Sequence, residues 1–506
     1  MKKLVTFTSR KTIVYVTKDS NLAVIVFTAV TLLFLDFTGA LHTYLGWLAK
    51  IQFLPAALAL NIGVMAAVLA LTLLLGRIYC SVICPLGIFQ DGVSHLSGLR
   101  KKKKMRFKYR KEHKIARYVV LASVVVALLF GLNSFVALLS PYSAYGRMVQ
   151  NLLSPIYQWG NNFFAYLAER ADSYAFYSRE VWMRSLPTFV VAVLTLIVIT
   201  FLSWKDGRAY CNTICPVGTF LSLFARHAWF KMHIDEDACV SCGLCAKKCK
   251  ASCIDSKSHT IDYSRCVVCG DCIGNCTKKA ISFTHKSSKK ASSTQGTDSA
   301  RRAFLVGTAL ATTELAFGQG KKKVDGGLAV IEKKKAPHRD TPITPPGSLS
   351  VKNMYGHCTA CQLCVSVCPN DVLRPSADLQ HFMQPTMSYE RGYCRPECNK
   401  CSQVCPAGAI RPISVEEKSS ISIGHAVWIK QNCLPVSDGV SCGNCARHCP
   451  TGAIKMVPLD PNDHHSKHIP SIDTERCIGC GTCENLCPVR PLSAIYVEGN
   501  EIHRTI

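Results

Sequence analysis

Acidic residues are scarce in this chain: 33 Asp and Glu stand against 59 Lys and Arg, leaving a formal charge of +26. Such an excess would suit nucleic acid. The basic residues, however, gather in linkers and in loops that flank apolar runs, so they read as topology signals and nucleic acid is set aside as a partner. No apolar run carries paired histidines, which excludes a transmembrane haem. The cysteine pattern of a secreted disulfide protein is missing too. Of 29 cysteines, all but Cys253 fall into Cys-x2-Cys or Cys-x3-Cys type groups, a distribution that favours metal. At 506 residues, 48% hydrophobic and with four long apolar runs, the chain reads as a multidomain membrane protein.

What is present is a tail organised by sixteen cysteines in four groups. Cys477, Cys480, Cys483 and Cys487, followed by Pro488, have the spacing of a bacterial [4Fe-4S] loop, and Cys358, Cys361, Cys364, Cys368 and Pro369 repeat it. Cys394, Cys398, Cys401 and Cys405, and Cys433, Cys442, Cys445 and Cys449, are variants with a longer first gap. Three thiolates from one tight loop reach three corners of a cubane, and the fourth cysteine usually ligates a partner cluster, so four motifs imply four clusters. Structural zinc would use two separated Cys-x2-Cys pairs instead. Short apolar runs after the fourth cysteines, such as Ala409-Ile410 and Ala453-Ile454, predict a small strand after each loop.

Upstream, apolar runs at residues 22–41, 55–76, 118–139 and 187–204 predict four transmembrane helices, with the basic N-terminal residues and the loop 100–111 placing the N-terminus in the cytoplasm. Residues 140–186, rich in Tyr and Trp, are expected along the outer membrane surface. The second and fourth runs each end in Arg-x-Tyr-Cys-x-x-Ile-Cys-Pro-x-Gly, at Arg77 and Arg208, an internal duplication. Its cysteines, Cys80, Cys84, Cys211 and Cys215, are expected together at the cytoplasmic interface, where they could bind a metal, exchange electrons as dithiols or only pack helices. Asp36, near the outer end of the first run, is a candidate proton acceptor but reads more readily as a carboxylate merely reaching the interface, and nearby His42 reads as an interfacial histidine.

Cys239, Cys242, Cys245 and Cys249, then Cys266, Cys269, Cys272 and Cys276, form a cytoplasmic two-cluster module, with Cys249 crossing to the second cluster and Cys276 to the first. Lys250 and Thr277 stand where proline usually follows. Residues 286–349 read as a linker, and within it Arg301-Arg302 and the weakly apolar stretch to Gly318 resemble a twin-arginine export signal, residues 299–318. That route would put the tail in the periplasm; a short helix interrupted by Glu314 would leave it in the cytoplasm. The Asp463–His468 loop, with His464 and His465, reads as solvated rather than metal-binding.

The expected organisation is therefore a membrane domain at 1–230, a two-cluster domain at 231–285, the linker, and a four-cluster α+β ferredoxin-like domain at 350–506, with six [4Fe-4S] clusters. The duplicated Cys-x3-Cys-Pro runs and the two-cluster module, over residues 22–283, resemble the NapH-type membrane ferredoxins of periplasmic nitrate reductase systems. The double-arginine segment and four tail motifs, over 301–506, resemble the exported NapG-type ferredoxins. The resemblance implies a quinol dehydrogenase of the bacterial inner membrane, drawing on the quinone pool and passing electrons to a periplasmic reductase not encoded here. It also implies that the first tail motif pairs with the fourth and the second with the third. A second resemblance, to CcoG-type oxidase-assembly factors, implies copper handling or metal reduction at the membrane cysteines; the tail cysteines count against it.

Overall fold

A computed structural model describes residues 20–98, 107–173, 175–285, 332–463 and 466–506. The twin-arginine-like segment and the His464-His465 pair lie outside these residues.

The apolar runs become helices, but three of the four are broken. α1 (Ser20–Leu35), α2 (Ile62–Leu75) and α4 (Lys114–Leu129) are 16, 14 and 16 residues long, about 21–24 Å at 1.5 Å per residue. The expected first run stops because Asp36 turns its carboxylate onto the amides of Thr38, Gly39 and Leu41 and the Thr38 hydroxyl, starting a new short helix, Ala40–Leu45. The second breaks between Phe53–Leu58 and α2, where the Asn61 side chain caps the new helix. The third breaks at a left-handed Gly131 before Asn133–Leu139. Among the described residues, only α7 (Leu186–Asp206) is long and apolar enough by itself to cross a membrane. Between these lie α3 (Pro85–Gly98), α5 (Pro141–Met148), α6 (Ser154–Arg170) and α8 (Pro216–Ala225).

Residues 141–150 depart furthest from expectation. They are buried throughout rather than laid on a surface, with Tyr142 and Tyr145 packed on Phe34. A π-helical turn, Val149–Leu153, joins them to the more exposed α6.

The two-cluster module sits at the end of the helical domain that carries Gly76 and Gly207, its sheet formed by Phe230–Ile234 against Ile281–His285. The amide of Arg208 donates to Lys250 O at 2.9 Å, and a Cβ at Gly207 would meet that same carbonyl at 2.4 Å. The backbone of the described part of the basic loop lies on this module, with its basic side chains still exposed: Phe107 N donates to Lys247 O and Arg110 N to Ser252 O.

The four-cluster domain sits at the opposite end. Asn133 donates to the carbonyls of Tyr355 and Gly356 at 3.1 and 2.8 Å, Lys400 to Thr38 O at 2.7 Å, and Arg184 pairs with Asp371 at 3.1 Å. Arg374 and Arg391 lie over the Trp182 ring. Residues 332–349, expected as linker, belong to this domain: Arg339 forms a buried ion pair with Glu484 at 2.6 Å, and Met387 N donates to Ile343 O. Strands follow Cys368, Cys449 and Cys487 as expected. None follows Cys405, because the Arg411 amide is taken by Gly347 O instead.

Candidate iron-sulfur centres

Four loops share one backbone device. In each regular motif the residues just before and just after the second cysteine have positive φ: Ser241 and Gly243, Val268 and Gly270, Ala360 and Gln362, Gly479 and Gly481. Two left-handed residues in so short a span curl the chain and turn its amides inward, as when Ala360 N donates to Cys358 Sγ at 3.4 Å. An all-thiolate donor set inside such curls fits [4Fe-4S] and leaves no oxygen or nitrogen ligand to suggest another metal.

The fourth cysteines cross over, but not as the resemblance implied. Cys405 lies in the electrostatic neighbourhood of Cys358, Cys361 and Cys364, and Cys368 in that of Cys394 and Cys401. Likewise Cys487 neighbours Cys433, and Cys449 neighbours Cys477 and Cys480. The first tail motif therefore pairs with the second and the third with the fourth. The physical reason is local: sequence-adjacent loops fold into one compact pair, and Asn444 of the third motif donates to Leu486 O of the fourth at 2.6 Å. In the two-cluster module Cys249 neighbours Cys269 and Cys272, the expected crossing, and the spare Cys253 lies 3.5 Å from the Cys249 sulfur.

Burial pushes the ligand thiols up, Cys361, Cys394 and Cys445 to about 11, so thiolates there need positive charge, which a metal supplies. Two lysines, Lys418 buried and Lys334 half-buried, add more. Lys418 donates to Cys398 O beside Cys394, and Lys334 to the carbonyls of Asn485 and Cys487 at 2.8 and 3.0 Å. Burial pulls Lys334 down to about 8. Neither lysine was legible in the motif spacing.

The duplicated motif forms a fourfold sulfur site inside the helical domain, not at its edge. Cys80, Cys84, Cys211 and Cys215 are each at most 4% exposed and lie within one another's fields. The repeats clasp each other in a pseudo-twofold manner. Arg77 donates to Cys211 O at 3.1 Å and Arg208 to Cys80 O at 2.6 Å. Each glycine makes room for the other repeat's arginine: a Cβ on Gly87 would sit 3.2 Å from Arg208 Nη1, and one on Gly218 would sit 2.6 Å from Arg77 Nη2. Gln90 donates to Cys211 Sγ at 3.1 Å. Arg208 has Asp91 as counter-ion, but Arg77, fully buried, meets only Asn212, two carbonyls and Cys80 Sγ. A buried guanidinium without a carboxylate calls for negative charge on the sulfurs. No group of three His, Cys, Asp or Glu among the described residues is placed to hold a single metal ion; a cubane spreads its thiolates over four irons.

The site is linked to both ends. Arg77 also donates to Ser264 O, two residues before Cys266. On the other side the Tyr142 hydroxyl neighbours Tyr79, Cys361 and Cys405. Asp36, with four donors on its carboxylate, shapes a turn and is not free to take a proton; His42 bonds Leu33 O.

Loops of this geometry define an iron-sulfur protein assembled from ferredoxin-type domains. Family profiles agree: a 4Fe-4S binding domain matches residues 58–104 and 186–235, the two halves of the duplication, and a 4Fe-4S dicluster domain matches 357–409 and 440–490, the two tail pairs. A further dicluster profile matches 262–372. Among named relatives, the methylamine utilization ferredoxin-type protein MauM of Methylobacillus flagellatus is 33% identical over 30% of this chain and 66% of its own. The putative electron transport protein YccM of Escherichia coli is 24% identical over 39% of this chain and 47% of its own. The ferredoxin-type protein NapF of the same species is 30% identical over 14% and 40%. The chain thus spans less than two thirds of each of these relatives. Electron transfer through iron-sulfur centres is the activity these likenesses support.

Proposed function

We propose that the chain is a membrane-bound electron carrier of quinol dehydrogenase type, taking electrons from the quinol pool and delivering them through the tail to a periplasmic reductase. The observation that carries this reading is the placement of the ferredoxin modules at opposite ends of one helical domain, with four buried cysteines between them. Exposed apolar side chains such as Ile25, Val119, Ile197 and Phe201 cover the flanks of the helices and suit lipid. The end holding the two-cluster module also holds Arg110 and Lys108, which supports its assignment to the cytoplasmic side. The broken helices suit this reading too, since irregular backbone within a bilayer is tolerated where it is buried in protein.

Six [4Fe-4S] clusters on the motif cysteines supply one-electron steps, and the membrane cysteines are the relay between the two sets. The protein's own part is to hold thiolates in low dielectric and to set potentials with Arg77, Arg208, Lys418 and Lys334. The reading is tested by adding menadiol to the anaerobically purified full chain and recording electron paramagnetic resonance. Reduced-cluster signals that appear with menadiol and not with menadione support it; their absence overturns it.

A further inference from the structure

The first tail loop breaks the rule of its siblings. After the second cysteine three regular motifs have Gly243, Gly270 and Gly481, all left-handed; the fourth puts Gln362 there, at φ +66°. A side chain in that conformation costs about 1–3 kcal/mol and persists where the surroundings hold it. Gln362 is 3% exposed. Its Oε1 accepts from Asn151 Nδ2 at 3.1 Å, while its Nε2 has no partner. It lines a cavity of about 420 Å3 between the helical domain and the tail.

That cavity has the form of a small-molecule site. Its walls are the π-helical turn with Asn151 and Gln150, the start of α6 with Ile156 and Trp159, and the stretch from Glu180 to Arg184. The π-turn sets Asn151 against Gln362, and single π-turns frequently occur at functional sites. Its charged side chains and Gln150 are otherwise used: Arg184 on Asp371 and Gln150, Gln150 on Phe34 O, Glu180 on Arg391. One unspent donor thus remains at the wall formed by the cluster loop. At the open side Ile156, Trp159 and Met183 are 55–62% exposed, an apolar mouth at the level where the helices meet the tail.

We infer that this cavity binds the headgroup of a quinone or quinol, an inference that rests on the quinol reading above. Gln362 Nε2 donates to a ring oxygen, Trp159 and Trp182 flank the ring, and the isoprenoid tail leaves through the apolar mouth into lipid. The ligand ring then lies against the loop that holds Cys361 and Cys364. The two oxygens at opposite ends of a flat apolar ring match a pocket with a buried free amide donor among aromatic walls better than a charged ligand would, because Arg184 and Glu180 are already paired.

The test is fluorescence titration of 2-heptyl-4-hydroxyquinoline N-oxide, a quinol analogue, into the full-length protein in detergent. Gln362→Gly restores the residue of the sibling loops and relieves strain, so cluster content should hold; Trp159→Ala alters the opposite wall. The expected result is a weakening of about five- to tenfold for Gln362→Gly, the worth of one buried hydrogen bond, and a similar or larger loss for Trp159→Ala. Binding by the parent that neither variant changes overturns this location. An unbound analogue with menadiol still reducing the clusters overturns the cavity and spares the quinol reading; failure of both overturns both.

Discussion

The two ends of the helical domain hold their ferredoxin modules by different means. At the two-cluster end Asp91 of the helices bridges Arg208 and the module's Lys250 at 2.6 and 3.2 Å, Lys250 reaches Asp271, and Arg117, paired with Glu112, donates to Ser264. The module keeps a hydrophobic core of its own around Met232, Ile254 and Phe283. At the four-cluster end the apolar core is continuous, running from Leu33 and Phe34 through Tyr79 and Tyr142 to Leu363 and Val497. Ion pairs cross both seams, Lys250–Asp91 at one end and Arg184–Asp371 and Arg391–Glu180 at the other, but the first module keeps a core of its own whereas the second shares that of the helices.

Breaking the Asp91 bridge should have the largest effect. Asp91→Asn leaves the fully buried Arg208 without its counter-ion, a loss of about 3–5 kcal/mol, to be read as early proteolysis of the two-cluster module while the tail stays resistant. The packed seam should fail differently. A Cβ on Gly146 would lie 2.5 Å from Cys361 O and 2.7 Å from the Phe34 ring, so Gly146→Val should cost about 1–3 kcal/mol and broaden the signal of the cluster held by Cys358, Cys361, Cys364 and Cys405. Asn133→Leu removes two donors from the Tyr355 and Gly356 carbonyls and should cost about 1–2 kcal/mol, measured as a lower unfolding midpoint of the tail with the two-cluster module unchanged.

The one effect that vanishes at neutral pH is confined to the tail and follows pH. Burial pulls His503 down to about 4, against an ordinary value of about 6.5. The unfolded chain binds this proton below about 6.5 and the folded one does not until about 4, so stability falls as pH drops through that window. His503→Gln should flatten that fall in denaturant titrations made across it, without moving the curve at neutral pH.

Much of the candidate chemistry was legible because cluster loops are local: spacing alone named the regular motifs, and the crossing of Cys249 followed. The tail pairing was not legible, since it depends on which loops meet in space; Cys405 beside Cys358 is a tertiary fact. Helix lengths were misjudged for a related reason. Hydropathy continues through Asp36 and Asn61, yet each side chain bonds backbone amides and restarts the helix. Tyr142 and Tyr145 looked interfacial by composition and are buried because the helices close around them, both packing on Phe34 and Tyr145 bonding Thr31. The arginine, glutamine and glycine partners of the membrane cysteines lay within view in the repeat, but their roles emerged only when each repeat was seen gripping the other.

The central claim is a path for electrons from one face to the other through Cys80, Cys84, Cys211 and Cys215. It is tested most directly in sealed liposomes that hold ferricyanide inside and receive dithionite outside. The path predicts rapid bleaching of the enclosed ferricyanide with the full chain, and a return to the protein-free rate in Cys80→Ser/Cys211→Ser vesicles whose tail and two-cluster signals are retained. Bleaching no faster than in protein-free vesicles, or equally fast in the double variant, would contradict it.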